Sequence, residues 1–81
     1  MEDVVLRVRP AASGWLVEAR DLEPLMFLSG AKAEAQAHAL ARCMAGAGND
    51  AEVVVHDRTE KIVGAARYFA RIYNSRRHAL A

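Results

Sequence analysis

A string of strand-like runs lies on either side of one alanine-rich run of helical period. Val4, Leu6 and Val8 alternate with Val5, Arg7 and Arg9. Such alternation marks a strand with one apolar face and one mixed face. Pro10 removes a ladder donor and is expected to end that strand. Ala11-Ala12-Ser13-Gly14 then supplies a loop in which Gly14 is free to take positive φ. Trp15, Val17 and Ala19 alternate with Leu16, Glu18 and Arg20, so the two runs read as a hairpin.

Asp21-Leu22-Glu23-Pro24 reads as a second turn, and Leu25-Met26-Phe27-Leu28 as a short third strand. Ser29 is placed to cap the helix that follows. From Ala31 to Ala45, Ala33, Ala37, Leu40, Ala41 and Met44 form one stripe at helical spacing, with Lys32, Glu34, Gln36 and Arg42 mainly off it. Gly46 and Gly48 suit the left-handed end of a helix. The β-branched run Val53-Val54-Val55 restores strand character up to His56, and Asp57 to Glu60 reads as a hairpin loop.

Residues 61–69 fit two patterns. As a strand they pair with residues 52–56, with Gly64 at a bulge. As a helix they place Ile62, Ala66, Phe69, Ala70 and Tyr73 on one face. The favoured reading is a short strand over 61–65 followed by a loosely helical basic segment.

The pattern therefore predicts an α+β fold: a small antiparallel sheet in the order βββαβ, with a further short β. One helix packs on one face through its alanine stripe, against Val4, Leu6, Trp15, Val17 and Val53 or Val55. Residues 1–66 form the single domain and residues 67–81 a basic C-terminal segment, helical or partly disordered.

These elements, in order, resemble the small bacterial proteins grouped as domain of unknown function family 2188. The resemblance is carried by Val8-x-Pro10, Gly14-Trp15-x-Val17, Lys32-Ala33-Glu34-Ala35, Val53-Val54-Val55-His56-Asp57 and Lys61-Ile62, and covers about residues 4–65. It implies a sheet with one packed helix and no assigned reaction. The family pattern has a glycine in the last turn, where this chain has Glu60. The basic extension after Ala66 is not part of it.

At 81 residues the chain makes one domain. A domain of that size buries only about 60% of its unfolded surface. Much of the 53% apolar content is alanine, which buries little area per residue. A shared interface would bury more, so self-association through Phe69, Ile72 and Tyr73 is expected. Cys43, the single cysteine, has no disulfide partner within the chain and is read as a small buried hydrophobe. The acidic opening Met1-Glu2-Asp3 is unlike a secretory leader, and no apolar run approaches the roughly 20 residues of a membrane helix. A cytoplasmic protein without a membrane partner is the expectation.

Residues chosen for chemistry are few. Neighbours on a strand face opposite ways, so His56 and Asp57 should not form an acid–base pair. Asp57 is better placed to bond the turn backbone ahead of it. His38 and Cys43 stand five apart, off the three- or four-residue spacing of helical metal ligands. Gly46-x-Gly48 lacks the strand and helix that flank a phosphate loop. Trp15 shares its face with Val17 and is expected in the core rather than as a stacking platform. No catalytic, metal or cofactor residues are assigned, and the chain is read as non-enzymatic.

The net charge of +1 selects no partner, but its distribution is uneven. Lys61 to Ala81 holds five basic residues and no acid. Arg67, Arg71, Arg76 and Arg77, interleaved with Tyr68 and Tyr73, have the composition of a nucleic-acid contact. Two readings follow: a protein-interaction module that self-associates, or a nucleic-acid-binding accessory protein using its C-terminal segment.

Overall fold

The computed structural model of the chain describes residues 3–70. Five strands and one helix follow in the order βββαββ: β1 Val4–Ala11, β2 Gly14–Ala19, β3 Leu25–Phe27, α1 Gly30–Gly46, β4 Ala51–His56 and β5 Ile62–Tyr68. The strands form one sheet in the order β3-β2-β1-β4-β5. Three pairs are antiparallel, but β1 and β4 run parallel, so the sheet is mixed rather than purely antiparallel. The parallel pair exists because α1 carries the chain back across the sheet before β4 begins.

Register sorts the side chains onto two faces. Leu6 pairs with Ala19 and Val53, and Val8 with Val17 and Val55. Trp15 pairs with Phe27, and Val53 with Ala66. This is the face that α1 covers. Ala33, Ala37, Ala41 and Ala45 are its buried residues, one per turn, and the short side chains bring the helix close to the strands. Leu40 and Met44 flank the stripe and are partly buried, so the expected face is shifted slightly onto the alanines. The largest fully buried side chains, Leu6, Val8 and Val53, all come from the sheet.

The ends of α1 follow the sequence. Ser29 Oγ accepts from the Lys32 amide at 3.0 Å. Ala47 takes the C-cap position, and Gly48, at φ +100, carries the chain out of the helix. No helix among the described residues is long and apolar enough to cross a membrane.

Three local readings change. Pro10 does not end β1, which continues to Ala11. The β4 pairing stops at Val8, so beyond it β1 has only β2 as a neighbour and tolerates a residue without an amide donor. Gly14 is required by space, not by torsion: a Cβ there would lie 2.4 Å from the Phe27 carbonyl oxygen. β5 stays extended to Tyr68 instead of turning helical after residue 65, because each residue from Ala65 to Tyr68 has a β4 partner. The pairing skips Val63, next to Gly64, as a bulge.

Two glycines give opposite expectations. Gly14→Ala should cost about 1–3 kcal/mol by forcing β3 away from β2. Gly64→Ala should stabilise the fold by about 0.4–1 kcal/mol. Its Cβ would meet Val55 Cβ at an ordinary 3.8 Å, and no positive φ constrains the position. Urea unfolding of the two variants checks both signs.

Candidate functional site

The second face of the sheet has no helix over it. Register places Val5 beside Glu52, Arg7 between Glu18 and Val54, and Arg9 beside Leu16. Met26, His56, Ile62, Ala65 and Arg67 extend the same face across β3, β4 and β5. It is the mixed side of the period-two pattern, grouped by folding. Val54 lies on it yet is only 6% exposed, with Arg7 and Ala65 as its register neighbours. Long arginine stems suit such a position, since they cover apolar surface while keeping the charge wet.

A groove of about 600 Å³ opens on this face between Val5, Arg7, Arg9, Glu18, Arg20 and Pro24. Its charges are largely spoken for. The Arg9 guanidinium donates to Glu60 at 2.6 Å and to Glu18 at 3.4 Å. Those two carboxylates, Glu60 foremost, hold the guanidinium above its ordinary pKa. Arg7 Nη1 lies 3.2 Å from His56 Nε2, while His56 Nδ1 lies 3.0 Å from the Glu60 carbonyl oxygen. A carbonyl only accepts and a guanidinium only donates. The geometry therefore describes a neutral imidazole with its proton on Nδ1 and its Nε2 lone pair toward Arg7. His56, 8% exposed, joins β1 to the β4–β5 turn and has no side-chain bond to Asp57.

Asp57 organises that turn. One carboxylate oxygen accepts from the Thr59 amide at 2.8 Å, the Thr59 hydroxyl at 2.7 Å and the Lys61 amide at 3.0 Å. The Thr59 hydroxyl is the first cause that holds the Asp57 carboxyl below its usual range, followed by the Lys61 amide. Glu60 follows at φ +68, in the left-handed region that favours glycine. Its carboxylate, pinned by Arg9, sits across the sheet.

On the helix side, β5 is thinly covered. His38 Nδ1 and the Tyr68 hydroxyl share a hydrogen bond at 2.5 Å, with the rings edge to face at 5.7 Å. Below it lies a dent of about 150 Å³ between Glu34 and His38 of α1 and the small residues Gly64, Ala65 and Ala66. The Asp50 carboxylate accepts from the Ala70 amide at 2.7 Å and holds the chain leaving β5.

The candidate residues named from the sequence separate here. Arg67 is not a free cation. It sits 3.8 Å from Asp3, 4.0 Å from Asp50 and 3.8 Å from Glu52, with its guanidinium 5.6 Å from the Phe69 ring centroid. Phe69 is 70% exposed. Arg71, Ile72, Tyr73, Arg76 and Arg77 lie outside the described residues. Cys43 is exposed rather than buried, since it falls off the alanine stripe. Trp15 is half-buried against the core, with the Arg58 guanidinium 4.9 Å from its ring centroid. Among the described residues no three metal-binding side chains cluster.

Sequence reasoning missed the Arg7–His56, Arg9–Glu60 and His38–Tyr68 contacts. Each joins residues at least 30 positions apart, so only the sheet order brings them together. The mixed face containing Arg7 and Arg9 was the one local signal.

Comparison with protein-family models, with curated proteins and with solved structures finds no match.

The turn supports two expectations. Glu60→Gly should be neutral to stabilising by up to about 1 kcal/mol. Relief of the left-handed strain, about 1–2 kcal/mol, outweighs an exposed ion pair worth about 0–1 kcal/mol. Glu60→Val should destabilise, and thermal unfolding of both variants checks the order. The Asp57 bonds should add stability above the ordinary carboxylate pKa and lose it as pH falls through the depressed folded value. Native Asp57 should therefore lose stability faster on acidification than Asp57→Ala, as denaturant titrations from neutral to acid pH would measure.

Proposed function

We propose that this chain is a non-enzymatic interaction module that recruits another polypeptide by strand addition at the open edge of β5. The observation that carries the reading is the edge itself. β5 pairs with β4 on one side and, among the described residues, has no strand partner on the other. A strand in that position presents a row of unsatisfied amide and carbonyl groups.

The common defences of an edge are weak in β5. The strand has seven residues, contains no proline, has its bulge only near its start, at Val63, and carries one charge, Arg67, which is drawn toward three carboxylates. Ile62 and Val63 are 57% and 60% exposed. The opposite edge, β3, is three residues long, too short to template much pairing. Backbone bonds along β5 would supply affinity in strand addition, and the exposed apolar side chains selectivity.

The polar groups best placed for chemistry serve structure instead. His56 spans two backbone elements, Asp57 holds a turn, and Arg9 is shared by two carboxylates. The nucleic-acid reading loses support at Arg67, whose guanidinium already faces acids.

A labelled peptide copying residues 61–69 should bind the protein in an anisotropy titration. Val63→Lys should weaken that binding at least tenfold while leaving the circular dichroism spectrum unchanged. No peptide binding at protein concentrations where the chain is monomeric would overturn the reading.

A further inference from the structure

Resting on that strand-addition reading, we infer that the natural occupant of the β5 edge is a second copy of this chain. The two β5 strands pair antiparallel about a two-fold axis at Ala65. Two five-stranded sheets thereby become one sheet of ten strands.

Length and charge fix the register. Ala65 is the midpoint of Ile62–Tyr68, so a two-fold there pairs residues 63–67, the regular part of the strand after its bulge. It sets Gly64 opposite Ala66 and Val63 opposite Arg67, with the central residue facing its own copy. A two-fold at Arg67 would set two guanidiniums directly opposite each other. A two-fold at Gly64 would set Arg67 against Lys61. Like charges directly opposite destabilise a sheet pair, so both registers are disfavoured. The Ala65 register keeps these cations out of opposition and lays the arginine stem beside an exposed valine. The run Gly64-Ala65-Ala66 brings no bulky side chain to the centre, where the two strands approach most symmetrically.

The same geometry explains why association should stop at two. An isologous contact consumes the β5 edge of both copies at once and closes. What remains outside is β3 at each end, with three residues to offer. The net charge of +1 per chain gives little long-range repulsion between copies.

Light scattering across a concentration series should show a mass rising to twice the 8.8 kDa of one chain. Val63→Lys, which adds a cation opposite Arg67 of the other copy, should shift the midpoint at least tenfold toward monomer. In a Cys43→Ser background, Ala65→Cys should form an interchain disulfide under mild oxidation, because directly opposite Cβ atoms in a strand pair lie close enough to bridge. Arg20→Cys in the same background should not.

A monomer at millimolar concentration overturns the inference. If the 61–69 peptide still binds that monomer, strand addition stands and its occupant is a different chain. If it does not, both fail together. A dimer that is indifferent to Val63→Lys and does not cross-link in the Ala65→Cys variant also overturns the inference, because association then uses another face.

Discussion

The contact on which the rest of this structure depends is the close approach of α1 to the sheet through Ala33, Ala37, Ala41 and Ala45. A methyl group has almost no reach, so the helix must lie near the strands and the sheet must supply the bulk of the core. Leu6, Val8 and Val53 do so, and all three belong to the central strands β1 and β4. Such a helix covers a narrow band. The middle of the sheet is sealed, while the outer strands are left with partial cover: β3 with exposed Leu25, and β5 above a dent bridged by His38 and Tyr68. An uncovered β5 is thus the counterpart of a closely seated helix. The same economy of side-chain volume that packs the centre exposes the edge.

The open face follows a different logic. It is held by pairs of charges and by one neutral histidine, not by apolar burial. Arg9 reaches Glu60 in the β4–β5 turn, Arg7 reaches His56, and Arg67 gathers the acids Asp3, Asp50 and Glu52. Individually, exposed pairs of this kind contribute about 0–1 kcal/mol. The effect of the Arg9 and Arg7 contacts is geometric: they tie the turn after β4 back onto β1. Glu60 holds its left-handed backbone within this arrangement, where a glycine would meet the torsional need but lose the tie.

Much of the architecture is legible locally. Period-two alternation locates β1 and β2, the β-branched run Val53-Val54-Val55 locates β4, and the alanine stripe with Ser29 locates α1 and its start. These signals depend on neighbours in sequence. What escapes depends on neighbours in space. Pro10 ends a strand only if both sides of that strand are paired, and here one side is free. Gly14 needs no unusual torsion but lies against the backbone of β3. Residues 66–68 carry a pattern that suits helix or strand equally, and the β4 partners decide it. The parallel β1–β4 pair is not legible either, because period two gives the face of a strand and not its direction. For the candidate site, Phe69 stands out in the sequence as an apolar residue outside the core pattern, while the edge that carries the proposal becomes visible only with the strand order.

The parallel pairing of β1 with β4 also sets the order in which this chain can become a protein. The first of these five strands in chain order occupies the centre of the sheet, and its second neighbour comes from the far side of α1: Leu6 meets Val53. Until β4 exists, β1, β2 and β3 are a meander with one edge of its longest strand bare and no complete hydrophobic layer. Closing that long loop carries its entropy cost before the central contacts return it. Folding should therefore be governed by one late, non-local event, and truncation anywhere before His56 removes the strand that makes the first half worth forming.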